Sequence, residues 1–161
     1  MILTGPRILE EVRKGNITIE PFDQALINPN SCDFRLGDCV KVYKGRVLDT
    51  RKVNKTTTVR IPESGMELSP ATLYLGHTFE AIGSNVYVPV IRGKSSTGRL
   101  GLFIHITADL VDIGFCGQLT LMLHAVQPIR IYPRMRIGQV TFWKVAGSID
   151  LYIVPNKWQN G

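Results

Sequence analysis

Apolar and β-branched residues recur in short runs along most of this chain, and turn-forming residues separate one run from the next. Runs rich in Val, Ile, Thr and aromatic residues, bounded by Gly, Pro, Asn and Asp, are typical of β-strands. The predicted strands cover residues 17–19, 32–36, 39–43, 57–61, 73–81, 87–91, 102–106, 118–124, 129–132 and 138–145. So many short strands predict an all-β fold, a barrel or sandwich of the jelly-roll type.

One helix is predicted, and it lies at the N-terminus. Thr4 is placed to cap it, Pro6 falls in its first turn, and Gly15 follows its last turn. Its apolar stripe consists of Ile8, Leu9 and Val12. The polar stretch 54–58 is predicted to be a surface loop.

The length and charge of the chain narrow the choice of partners. At 161 residues, the chain is predicted to form one domain, residues 1–161. The net charge of +6 favours an anionic partner, but Lys and Arg are scattered among Asp and Glu. We therefore predict a small anion such as a nucleotide, and no nucleic acid. Every apolar run is too short to span a membrane, which predicts a soluble protein without a membrane partner.

The cysteines indicate a reducing compartment. Cys32, Cys39 and Cys116 are too few and too irregularly spaced for a disulfide framework. No Cys/His pair has the sequence spacing of a zinc site. Reduced thiols are typical of the cytoplasm, which is the predicted location.

Two stretches carry side chains suited to a phosphorylated ligand. Residues 93–99 combine an ammonium, a guanidinium, hydroxyls and two glycines, which together suit a triphosphate. Residues 102–123 predict two strands joined as a hairpin, with the Asp112 carboxylate at its tip. Taken alone, residues 93–99 are also compatible with a solvated loop. Asp112 is also compatible with a structural role, in which its side chain hydrogen-bonds the backbone of its own turn.

Four ordered motifs resemble those of the dCTP deaminase/dUTPase superfamily. They cover residues 28–37, 93–101, 107–117 and 132–142, and the terminal Lys157-Trp158-Gln159 is similar to the family's Lys-Tyr-Gln. The resemblance implies a distorted jelly-roll β-barrel, assembled as a homotrimer with active sites between subunits. It also implies a deoxyribonucleoside triphosphate substrate with Mg²⁺, the ion being held by the triphosphate and waters rather than directly by side chains.

The resemblance further implies roles for individual residues. Asp112 would orient the attacking water, and Phe115 would lie against the deoxyribose unless it is an ordinary core aromatic. Thr107 and Ala108 would offer backbone groups to the base. The implied phosphate-binding residues are Lys94, Ser95, Ser96, Arg99 and Gln139. The residues expected to fold over the nucleotide, on a different subunit from the hairpin, are Tyr152, Lys157, Trp158 and Gln159.

One position departs from the deaminases of this superfamily. Their catalytic glutamate, ten residues after the hairpin aspartate, shuttles protons to the cytosine ring, and Met122 occupies that position here. A thioether has no proton to exchange. We therefore predict a dUTPase-type enzyme that converts dUTP to dUMP and diphosphate.

Several alternatives remain open at the level of sequence. The chain is also compatible with dCTP deamination, alone or combined with dUTP hydrolysis, if His124 replaces the missing glutamate. Asp109, where the family has Gly or His, either acts near the base or faces solvent. Outside enzymology, the alternatives are a nucleotide-binding regulatory trimer with weak catalysis and a purely structural jelly roll.

Overall fold

The computed structural model describes residues 1–153, and most of its regular structure is β-strand. The N-terminal helix is α1 (Gly5–Arg13), and a single helical turn, α2 (Ser95–Gly98), follows later in the chain. The strands are β1 (Ile17–Glu20), β2 (Cys32–Arg35), β3 (Cys39–Tyr43), β4 (Thr56–Arg60), β5 (Met66–Leu68), β6 (Tyr74–Ser84), β7 (Val88–Gly93), β8 (Leu102–Phe103), β9 (Cys116–Ala125), β10 (Ile129–Ile131) and β11 (Arg136–Trp143).

Three sheets contain these strands. The largest runs in the order β4-β3-β6-β9-β8, with β1 also paired to β6. A second sheet has the order β2-β11-β7, and a third is the pair β10-β5. The predicted all-β fold class with one N-terminal helix is confirmed, although the sheets are not closed by continuous pairing within residues 1–153.

The core follows the alternation of side chains along the strands. On β9, Leu119, Leu121 and Leu123 are buried, whereas the residues between them face the other side of the sheet. From the second sheet, Phe34 and Phe142 are completely buried in the same core. Thr120 and Met122, on the opposite face of β9, line a cleft that is described below.

Helix α1 begins and ends where predicted, with Thr4 as its N-cap residue. The Thr4 backbone carbonyl accepts from the amide of Ile8, but its side chain makes no capping hydrogen bond. At the other end, Gly15 has a φ of +77°, a conformation that favours glycine. Ile8 is fully buried, so the apolar stripe holds the helix against the sheets.

Some short elements differ from the sequence predictions. The predicted loop 54–58 is partly wrong, because β4 begins at Thr56 and pairs with β3. The three-residue strand β5 and the four-residue helix α2 were not predicted, since such short segments carry little periodicity.

The three cysteines are all free. Within residues 1–153, no helix is both long and apolar enough to cross a membrane.

Candidate active site

The segment 105–115 forms a long excursion between β8 and β9 rather than a tight hairpin. The Ile91 amide donates to the Asp109 carbonyl at 2.7 Å, and the Val111 amide donates to the Pro89 carbonyl at 2.9 Å. The excursion is therefore held along β7 as a short additional strand would be. Its backbone is fixed at the point where the candidate residues occur.

A tight turn positions Asp112. The Phe115 amide donates to the Asp112 carbonyl at 3.2 Å, and Gly114 has a φ of +97°, as the third residue of a type II turn requires. The Gly114 amide also donates to the Ser84 carbonyl at 2.8 Å, which ties the turn to β6. Because a backbone carbonyl closes this turn, the Asp112 carboxylate is left available for other interactions.

A cleft of about 450 Å³ lies beside this turn. This volume is within the range of small-molecule sites, roughly 300–1,000 Å³. Asp112 is the one carboxylate among the described residues that line it. The other lining residues are Tyr43, Leu75, Ile91, Ala108, Leu110, Val111, Phe115, Leu119, Thr120, Met122 and Tyr152. We call this space the base cleft.

The base cleft brings together several residues that the sequence had singled out. Ala108, Asp112 and Phe115 all line it. Phe115 also packs against the hydrophobic core, so the two roles considered for its ring are compatible. Thr107, the neighbour of Ala108, is exposed and does not line this cleft.

Met122 contributes its thioether to the same wall. It lies opposite Leu75 in the pairing of β9 with β6, and both side chains line the base cleft. The Met122 side chain is thus in the same space as Asp112, and it offers an apolar group. His124 does not line this cleft, and its ring is instead 6.3 Å from the ring of Phe103.

The described part of the tail lies on the base cleft of its own chain. The Tyr152 amide donates to the Ile113 carbonyl at 2.6 Å, and the Tyr152 ring is 6.3 Å from that of Phe115. Tyr152 is thus held by backbone bonding to the hairpin turn of its own chain, whereas the predicted placement of tail and hairpin on different subunits concerns the assembly and stays a prediction. Lys157, Trp158 and Gln159 lie outside the described residues.

A second cleft, of about 500 Å³, holds part of the predicted phosphate-binding set. Lys94, Ser95 and Gln139 line it, at the junction of β7, α2 and β11. These side chains offer an ammonium, a hydroxyl and an amide, all of which can donate to anionic oxygens. We call this space the anion cleft.

A hydrogen-bonded network holds the polar side chains of the anion cleft. The Lys94 ammonium is 2.5 Å from a carboxylate oxygen of Asp33, whose other oxygen accepts from Asn28 at 2.8 Å. The Ser31 hydroxyl bonds the Gln139 side-chain oxygen at 2.6 Å, and the Gln139 amide donates to the Gly93 carbonyl at 3.3 Å. The Lys94 ammonium and the Gln139 side-chain amide are therefore oriented by the protein itself, without a ligand.

Ser96 and Arg99 lie on the exposed surface of the same helical turn, outside the anion cleft. None of the ion pairs within residues 1–153 uses Arg99. Within residues 1–153 its guanidinium therefore has no carboxylate partner, unlike the Lys94 ammonium, which pairs with Asp33.

Asp33 and His105 are among the contributors to the anion cleft that sequence reasoning did not single out. Asp33 has a side chain only 3% exposed and lies within the motif 28–37, but its partner Lys94 is 61 positions away. His105 lines the cleft, and its buried Nδ1 has no hydrogen-bond partner within residues 1–153. Membership of motif 28–37 is the signal that could have identified Asp33, whereas no spacing signal indicated His105.

The position of Asp109 resolves one question left by the sequence. Its carboxylate accepts from the Arg92 guanidinium at 2.7 Å, and it does not line the base cleft. Its charge is therefore balanced on the protein surface, which argues against a direct role beside the base.

The site combines a base-sized cleft containing a single carboxylate with a separate, pre-oriented anion cleft, on a mainly β fold. The class of protein is settled by comparison: the family model described as dCTP deaminase-like matches residues 2–145. The chain therefore belongs to the dCTP deaminase-like family. It is an enzyme of deoxyribonucleoside triphosphate metabolism.

Two similar proteins are each named "dCTP deaminase, dUMP-forming". The protein from Clostridium beijerinckii is 48% identical over 160 residues, which cover 99% of this chain and 91% of that protein. The protein from Hathewaya histolytica is 47% identical over 160 residues, covering 99% and 92%.

A solved structure shares the fold. The crystal structure of 2′-deoxycytidine 5′-triphosphate deaminase from Agrobacterium tumefaciens matches with a TM-score of 0.69 and 23% sequence identity. The match covers 88% of this chain but 47% of that one, so this chain spans about half the length of the solved protein.

Proposed function

We propose that this protein hydrolyses dUTP to dUMP and diphosphate and does not release ammonia from dCTP. One observation carries the proposal: among the described lining residues, the base cleft contains Asp112 as its single carboxylate together with Met122. By the sequence resemblance, Met122 corresponds to the glutamate of the deaminases. The cleft thus keeps a group that can orient water and lacks a second acid.

Hydrolysis can be carried out by the groups that are present. An Asp112 oxygen can accept a proton from a water molecule aligned on the α-phosphorus. Lys94, Ser95 and Gln139 can donate to phosphate oxygens and stabilise the charge that develops on them. Deamination would instead require a group that both gives and takes protons at the pyrimidine ring, and a methionine thioether cannot do so.

Mg²⁺ fits this donor set through the substrate rather than through the protein. The Lys94, Ser95 and Gln139 side chains present donors, whereas Mg²⁺ bound directly by protein prefers carboxylates. We propose that the ion is carried by the triphosphate and its waters, as Mg²⁺ commonly is, where it neutralises phosphate charge.

A bifunctional reaction is the second candidate, because the similar proteins are named as deaminases of dCTP that form dUMP. Two features of this chain count against it. Met122 lies where proton transfer would be needed, and Asp109, the nearest additional carboxylate in the excursion, is paired with Arg92.

The proposal is tested by incubating the protein with Mg²⁺ and, separately, dUTP, dCTP, dATP, dGTP and dTTP. Nucleotides are separated by anion exchange and ammonia is assayed in parallel. We expect dUMP and diphosphate from dUTP, and no ammonia from dCTP. Ammonia release from dCTP at a rate comparable with triphosphate cleavage would contradict the proposal, whereas dUTP binding without turnover would indicate a regulatory protein.

We also propose that the protein is a homotrimer whose active sites are shared between subunits. Supporting this, the base cleft and the anion cleft have no lining residue in common within one chain. Arg99 is exposed next to α2 and lines neither cleft. In a ring of three subunits, the anion cleft and Arg99 of one subunit can serve the base cleft of the next.

Complementation between two defective variants tests the shared site. Arg99→Ala and Asp112→Asn should each have little activity, since each damages every site in its own trimer. The two variants are then refolded together in equal amounts. A shared site is intact when its Asp112 comes from an Arg99→Ala chain and its Arg99 comes from an Asp112→Asn chain, so random assortment would restore about one quarter of the sites. Light scattering should give the mass of a trimer. A monomer with full activity, or no recovery on mixing, would refute the shared site.

A further inference from the structure

A cluster of three possible metal ligands lies outside both clefts. Asp38 and Cys39, at the start of β3, face His77 of β6, and their ligand atoms all lie within 4.8 Å of one another. The Cys39 sulfur is 3.5 Å from His77 Nε2, and an Asp38 oxygen is 3.9 Å from the same nitrogen. Cys39 and His77 also line a hollow of about 300 Å³.

The imidazole of His77 is oriented by the protein. Its Nδ1 is 3.0 Å from the Thr78 carbonyl oxygen, and because a carbonyl only accepts, Nδ1 must carry the proton. This tautomer leaves the Nε2 lone pair directed at Cys39 and Asp38. A histidine that ligates a metal commonly has its second nitrogen bonded to a carbonyl in this way.

Gly37 packs closely against the His77 ring. A Cβ at this position would fall 2.0 Å from His77 Cε1, so the ring packs directly against backbone. The Gly37 amide also donates to the His77 carbonyl at 2.8 Å. The His77 ring is therefore held in place next to the start of β3, while Asp38 is exposed.

The ligand types and distances suit zinc. Thiolate, imidazole and carboxylate are the usual Zn²⁺ ligands, with Zn–S near 2.3 Å and Zn–N near 2.0–2.1 Å. At a tetrahedral angle, these lengths place sulfur and nitrogen about 3.5 Å apart. The observed Cys39–His77 separation is 3.5 Å, and the exposed Asp38 needs only a small movement to complete a third bond.

We propose that Asp38, Cys39 and His77 bind one Zn²⁺ ion per chain, with a water molecule as fourth ligand. The pairing of β3 with β6 includes only Lys41↔Leu75 and Val42↔Tyr74, so the ion would join these strands where that pairing ends. His77 lies opposite Thr120, which lines the base cleft. The ion would therefore stabilise the sheet beside that cleft, independently of which nucleotide is hydrolysed.

The test uses untagged, metal-free protein without nucleotide, titrated with Co²⁺ and then with Zn²⁺. We expect one equivalent of Co²⁺ to produce a thiolate-to-cobalt charge-transfer band that Zn²⁺ abolishes, and Zn²⁺ to raise the Tm. Cys39→Ser should lose the band and the Zn²⁺-dependent rise in Tm. Asp38→Asn should retain the band while binding Zn²⁺ at least about 10-fold more weakly.

Cys116→Ser is the matched control, since it removes an exposed thiol outside the cluster. It should retain both the band and the Tm shift. Melting in chelator checks that Cys39→Ser is folded. If the parent protein gives no thiolate band, the Cys39–His77 contact is only a hydrogen bond and the proposal is wrong. It is also wrong if Cys39→Ser binds Zn²⁺ as tightly as the parent or if Cys116→Ser alone loses the band.

Discussion

The Asp112→Asn variant is expected to fold and to bind dUTP, but to hydrolyse it about 10²-fold or more slowly than the parent protein. The amide retains the size of the carboxylate and cannot accept a proton from water. The turn should survive, because the Asp112 backbone carbonyl closes it. Single-turnover kinetics and equilibrium binding of dUTP would separate the chemical step from affinity.

A suitable control is Asp150→Asn. Asp150 lines a neighbouring cleft, which Asp112 also lines. We expect its turnover to remain close to that of the parent, because that carboxylate does not line the base cleft. Unchanged turnover in Asp112→Asn would leave Asp112 with only a structural role in its turn. Loss of dUTP binding in that variant would show that the carboxylate acts in recognition.

The elements that the sequence predicted well are those governed by local alternation. On β9, the pattern of buried Leu119, Leu121 and Leu123 is visible in the sequence, and it places Met122 on the cleft side. The turn at Gly114 was equally predictable, because its φ of +97° favours glycine. The roles of Asp112, Phe115 and Met122 came from the family resemblance, and the alternation and the turn explain why the three lie in one region.

The pairings between distant residues could not be predicted in this way. Lys94 and Asp33 are 61 positions apart, and Cys39 and His77 are 38 apart. These contacts depend on how the sheets pack, and local periodicity contains no information about sheet packing. The same reason explains why the absence of zinc spacing in the sequence did not exclude a Cys/His contact in the fold.

A partly buried ion pair joins the two larger sheets. Glu80 of β6 is fully buried, and it accepts from the Arg35 amide at 2.8 Å and from the Arg35 guanidinium at 2.6 Å. Beside this pair, Leu36 and Thr78 form an isolated bridge between the sheets. Because β2 also carries Asp33, which orients Lys94, this pair helps to position the anion cleft.

Replacing Arg35 by alanine is expected to lower the free energy of unfolding by about 3–5 kcal/mol, the usual effect of leaving a buried charge without its partner. Chemical denaturation would measure the change. Arg136→Ala is the matched control, because Arg136 is exposed, lies opposite Arg35 on β11 and makes no ion pair within residues 1–153. Adding Glu80→Gln to Arg35→Ala should recover part of the loss, since it removes the unpaired charge. A loss in Arg35→Ala no larger than in Arg136→Ala would show that water, rather than Arg35, compensates Glu80.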